Sequence, residues 1–139
     1  TGRREVARDL GALYTYAPDE DIPTDYDFAL ECSSRQSAFA LLQTHLKTYG
    51  KICVLADGNL EPLTLLPEFH HKELTIVGSS DGWDYARHAA WFFDYVQRTQ
   101  PPLSRIYDLH IHYSDLPHTF AQLADGSQSA IKVLVDYQL

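Results

Sequence analysis

A chain of 139 residues has room for one domain, or one domain and part of a second. Its residues are 45% hydrophobic and 22% charged, and the aromatics are spread along the whole length, which excludes a disordered tail. The net charge is −8, no Lys/Arg cluster occurs beyond Arg3-Arg4, and no apolar run is long enough for a bilayer, so nucleic acid and membrane are set aside as partners.

The two cysteines, Cys32 and Cys53, lie inside apolar runs and read as buried, reduced thiols rather than a disulfide framework. With no apolar stretch after the charged first residues, no signal peptide is expected, and the protein is expected to be cytoplasmic.

Residues 3–10 place Val6 and Leu10 four apart ahead of Gly11, the end of a helix. LYTYA, residues 13–17, is a short β-prone run closed by Pro18, and Tyr26–Cys32 reads as a strand buried on both faces. Ser33 or Ser34 is then placed to cap a helix from about Arg35 to Lys47, which buries Ala38, Leu41, Leu42 and His45 or Leu46 and closes at Gly50. Lys51–Ala56 is the second buried strand. A helical turn is expected around LTLLPEF, and Glu73–Val77 is the third strand. A helix over about 84–97 carries an apolar stripe of Tyr85, Ala89, Phe92 and Val96, and Pro101-Pro102 stop it. The remainder reads as a strand (IYDLHIHY), a helix from Ser114 or Asp115 to Leu123, a turn at Gly126 and a last strand (IKVLVDY).

Strands alternating with helices predict an α/β fold with a parallel, doubly wound sheet. Ligands in such sheets bind at the carboxyl ends of the strands. Three segments fall there: Cys32-Ser33-Ser34, Leu55-Ala56-Asp57-Gly58 and Gly78-Ser79-Ser80-Asp81. Their small and polar residues either let a ligand approach the backbone or simply make turns.

Motif chemistry is sparse. His110 and His112 share one strand face but have no third ligand at a recognised spacing, and neither cysteine sits in a CxxC pair, so no metal site is expected. The GxGxxG and GxxxxGK[ST] patterns are absent, and no catalytic residue is assigned.

The order of segments is more informative. RREVARDLGA, DFALECSS, LKTYGKICVLADG, HHKELTIVGSS and HTFAQLADGSQSAIKVLVDYQL follow one another as in the C-terminal part of the zinc-type medium-chain alcohol dehydrogenase family, which the chain resembles over essentially its whole length. The resemblance implies the later half of a Rossmann-type parallel sheet over residues 1–97, lacking strands 1 and 2. Residues 98–139 would return into the catalytic domain. It implies an NAD(P)-dependent oxidoreductase as the parent, passing hydride between the nicotinamide and an alcohol or carbonyl substrate.

Carried over by position, Arg3 would contact the adenosine ribose or its phosphate, and Cys32 and Ser33 would lie beside the cofactor. Leu55, Ala56 and Asp57 would flank the nicotinamide end, Ser79 and Asp81 would belong to the loop after the last Rossmann strand, and Lys132 would reach the diphosphate. Ala56 stands where many members have Gly. The family's zinc ligands, proton relay and GxGxxG turn precede the matched part, so the parent's zinc would be held elsewhere and the isolated chain is expected to be inactive. Strand 73–78 would pair with its twofold mate in a homodimer. The alternatives are a non-catalytic Rossmann-like module for binding or oligomerisation, and an unrelated α/β binding protein.

Overall fold

The computed structural model describes residues 2–58, 61–80, 82 and 84–138. In chain order its elements are α1 (Gly2–Asp9), β1 (Tyr26–Glu31), α2 (Gln36–His45), β2 (Leu46–Val54), α3 (Pro67–His71), β3 (Thr75–Gly78), α4 (Tyr85–Thr99), β4 (Tyr107–His112), α5 (Leu116–Asp125) and β5 (Lys132–Asp136). Single 3-10 turns occupy Leu103–Arg105 and Tyr113–Asp115. Two compact units form, Tyr16–Ala89 and Thr1–Thr15 with Ala90–Leu139.

In the first unit β1, β2 and β3 make a parallel sheet in that order, so the fold is α/β as the sequence predicts. Parallel neighbours are joined by right-handed crossovers, which put successive connections on the same side. That side is filled: Phe39, Leu46, Ile52 and Leu74 are buried together, with Ala29, Leu42, Val54, Leu63, Phe69 and Ile76 packed around them. The strands were expected to be buried on both faces, and they are not. Phe28, Leu30 and Val77 lie on the opposite face and are 71%, 62% and 50% exposed. One set of crossovers covers one face, and nothing in this unit is left to cover the other.

Residues 13–17, a β-prone run, pair with no strand, and β1 is an edge of the sheet. A strand exists only by pairing, and this segment is tied instead by Arg4, whose guanidinium donates to the Thr15 carbonyl at 2.8 Å.

Helix α2 buries Phe39 and Gln43; of the predicted face, Leu42 packs against the core and Leu46, just past the helix, is buried, while Ala38, Leu41 and His45 are half-buried. The Gln43 amide accounts for its own burial, because it donates to the Phe39 and Thr64 carbonyls and accepts from the Leu66 N–H. Strand β2 begins at Leu46, earlier than expected, directly after α2. The Lys72 ammonium fastens that junction by donating to the carbonyls of Gln43, Thr44 and Leu46. Gly50 lies inside the strand rather than closing the helix. A Cβ there would come within 2.9 Å of Leu46 Cβ and the Lys47 carbonyl, so the close approach requires glycine. Beside it Tyr49 has φ 65°, where the pairing with β1 slips between Tyr26 and Phe28.

In the second unit β4 and β5 pair in parallel, with Leu109 opposite Val133 and Ile111 opposite Val135. Helix α1 ends as predicted. The Gly11 N–H bonds the Arg8 carbonyl, the Ala12 N–H bonds the Ala7 carbonyl, and Gly11 has φ 103°. Helix α4 spans the expected residues but buries none of them, so its aromatic stripe is exposed. No helix of the described residues is long and apolar enough to cross a membrane.

Candidate functional site

The carboxyl ends of β1 and β2 meet at Glu31. This side chain is only 1% exposed, and the sequence reading passed over it. Its carboxylate accepts from the Ser33 N–H at 2.7 Å, the Ser33 hydroxyl at 2.5 Å and the Ser34 N–H at 3.3 Å. Burial pushes its pKa up, and the hydrogen bonds from Ser33, Ser34 and Arg35 outweigh that, so it sits below its ordinary value. A carboxylate with a lowered pKa stabilises the fold above its unfolded value and loses that contribution as pH falls through the folded value. The stabilisation from Glu31 should therefore be constant with pH above about 4.5 and fall away below it, and Glu31→Gln should remove part of that acid loss. An unchanged acid limb in that variant would refute this.

The Ser33 hydroxyl, engaged with Glu31, also accepts from the Arg35 N–H at 3.2 Å. The predicted serine cap is not formed: α2 has Arg35 at its N-cap with no side-chain cap bond, because Glu31 draws both serines back toward the strand. The Ser34 hydroxyl donates across to the Asp57 carbonyl at 3.1 Å, and the Asp57 carboxylate takes the Gly58 N–H at 2.7 Å. Together Ser33, Ser34, Arg35, Asp57 and Gly58 line a cleft of about 240 Å³.

The site residues read from the sequence fall in both units. Cys32, Ser33, Leu55, Ala56, Asp57 and Ser79 all lie at the carboxyl ends of the three-stranded sheet, where the Ser79 N–H bonds the Val54 carbonyl. Cys32 is exposed and Cys53 is half-buried, which corrects the reading of both as buried thiols. Asp81 lies outside the described residues. Arg3 and Lys132 belong to the other unit. There Arg3 lines a cavity of about 540 Å³ with Arg105 and Asp108, and the Asp108 carboxylate accepts from the N–H groups of Ile131 and Lys132. Those bonds, with Arg3 nearby, hold the Asp108 carboxyl below its ordinary value.

His112 bonds the Ser114 hydroxyl at 2.8 Å and the Gln138 carbonyl at 3.2 Å through its two ring nitrogens. Among the described residues no three His, Cys, Asp or Glu side chains are grouped to hold a metal ion. Sequence reasoning missed Glu31, Arg35 and Asp108. The recoverable signal was an acidic residue ending an apolar strand with two serines just after it, a turn-forming arrangement.

No family model matches the sequence, and no curated protein matches it. Solved structures do. The chain aligns over 99% of its length with 2R,3R-butanediol dehydrogenase from Bacillus subtilis, at 16% identity and a TM-score of 0.78, covering 41% of that chain. It aligns over 98% with a short chain alcohol dehydrogenase from Escherichia coli CFT073 complexed with NADH, at 14% identity and a TM-score of 0.78, covering 42%. It aligns over 86% with S. aureus TarJ in complex with NADPH, at 21% identity and a TM-score of 0.69, covering 40%. The chain thus spans about two fifths of the length of these proteins. At such identities the likeness is one of fold, and the fold is that of a part of Rossmann-type α/β dehydrogenases.

Proposed function

We propose that the chain is part of a zinc-type medium-chain alcohol dehydrogenase, an NAD- or NADP-dependent oxidoreductase that moves hydride between nicotinamide and a small alcohol or carbonyl substrate. The observation that carries this is the alignment of nearly the whole chain with butanediol dehydrogenase at a TM-score of 0.78. The chemistry of the strand ends agrees with it: Ser33, Ala56, Gly58 and Ser79 are small enough for a flat ring to approach the backbone. In this reading residues 1–97 belong to the cofactor-binding domain and 98–139 to the catalytic domain. Cys32, Ser33, Leu55, Ala56, Asp57, Ser79 and Asp81 flank the cofactor, and Arg3 and Lys132 serve its ribose and phosphates. The nicotinamide accepts or supplies the hydride, the chain's own residues shape the walls around it, and any zinc of the parent is held by other residues. The parent is cytoplasmic.

The test is to express the whole reading frame that encodes this chain and assay NAD(P)-linked oxidation of short alcohols. Turnover seen as rising NAD(P)H absorbance is expected; a folded product with no turnover on any alcohol or carbonyl would favour a non-catalytic assembly module instead. We also propose a homodimer through the edge strand β3, short and half-apolar at Thr75–Gly78. Sedimentation at micromolar protein should give twice the monomer mass, and a concentration-independent monomer would count against it.

A further inference from the structure

We infer that Glu31 is the positioning residue of the strand-end crevice, locking the turn after β1 to the turn after β2 so that both walls behave as one body. This rests on the cofactor reading above for the identity of the ligand, and on the geometry alone for the coupling. Glu31 occupies the covered face of the sheet, in line with Ala29 and paired to Val54, where the pattern calls for an apolar side chain. A buried carboxylate in such a place is costly unless fully hydrogen-bonded. Here the charge is used, because its oxygens collect the Ser33 and Ser34 N–H groups and the Ser33 hydroxyl.

The same residue reaches the second strand by its backbone. The Glu31 carbonyl accepts from the Leu55 N–H at 2.9 Å and the Ala56 N–H at 3.1 Å. A third tie, from the Ser34 hydroxyl to the Asp57 carbonyl, closes the ring. Ser34 meanwhile has φ 59°, a left-handed conformation unfavourable for a non-glycine residue, and it persists only where surrounding bonds over-determine it. The three ties supply that over-determination. The cleft's own charges, Arg35 and Asp57, are exposed and leave the buried carboxylate alone as the hub.

The experiment is amide hydrogen exchange by NMR on the 139-residue chain, its Glu31→Gln variant and, should that variant fold poorly, Ser33→Ala, which removes one donor and keeps the carboxylate. The Leu55 and Ala56 amides are expected to exchange about tenfold faster in Glu31→Gln, and by a smaller factor in Ser33→Ala, with Ile52 in the core unchanged. Unchanged Leu55 and Ala56 rates in both variants would overturn the coupling. So would a loss in which Ile52 accelerates equally, since that marks a merely structural role. Adding about 20 mM NADH, well above the range in which no saturation is expected, separates the two claims. Amide shifts at Ser33, Ser34, Leu55 and Ala56 in the wild type, weakened in Glu31→Gln, support both; equal shifts in both proteins overturn the positioning role. Faster exchange in the variant with no NADH-induced shifts in the wild type sinks the cofactor reading and leaves the coupling standing.

Discussion

Titrated with NADH or NADPH and followed by cofactor fluorescence, the 139-residue chain is expected to show no saturation below about 1 mM. A dinucleotide is held chiefly where its pyrophosphate meets backbone N–H groups at a helix start after a glycine-rich turn, and these residues contain no GxGxxG. What the strand ends offer in its place is modest. The Ser33 hydroxyl is already committed to Glu31 and the Arg35 N–H, so it has little left for a ligand. The Asp57 carboxylate and a net charge of −8 oppose an anionic ligand. Arg3 shares its cavity with Asp108, and its exposed charge is weakened by salt. Hydride transfer also needs the substrate carbonyl polarised by a metal or a pair of donors, and no residue of this chain is assigned to that task. No alcohol oxidation is therefore expected from the 139 residues alone. Saturation at low micromolar cofactor, or measurable turnover, would show that the crevice walls contribute far more than this argument allows.

The element order was legible because each element carries a local signal. Gly11 and Gly126 take the left-handed conformations that end α1 and α5, and Ile52 sits at the centre of an apolar run that became the central strand. The clustering of Ser33, Ala56 and Ser79 was legible too, as a consequence of parallel topology rather than of any motif. What could not be read depends on partners distant in sequence. LYTYA has the composition of a strand, and composition does not supply a neighbour to pair with. The Gln43 amide is buried in α2 because it finds the Thr64 and Leu66 backbone, a contact between segments more than twenty residues apart. Glu31 was passed over inside the apolar run FALEC, and only its hydrogen bonds explain why a carboxylate is kept there. The largest miss was burial on two faces, inferred from apolar continuity in β1 that in fact serves one covered face and one open one.

That miss gives the second large expected effect, a contrast between neighbouring strands. Ile52 is 0% exposed and touches the side chains that α2 and the segment around Leu74 bring over the sheet. Ile52→Ala removes three carbons from the centre of a core in which, among the described residues, four apolar side chains are buried, and should cost about 2–5 kcal/mol. At roughly 0.1 kcal/mol per residue, the whole unit has a stability of the same order, so this variant should unfold at a much lower urea concentration or be unfolded in buffer. Leu30 is as apolar and pairs with Cys53, the next residue along β2, but it points to the open face and is 62% exposed. Leu30→Ala should move the urea midpoint little, within about 0.5 kcal/mol of the wild type. The two variants delete comparable apolar volume, so their difference reads coverage rather than hydrophobicity. Equal losses would mean that the face carrying Phe28, Leu30 and Val77 is packed in solution, and a loss for Leu30→Ala that grew with protein concentration would identify a second copy as what packs it.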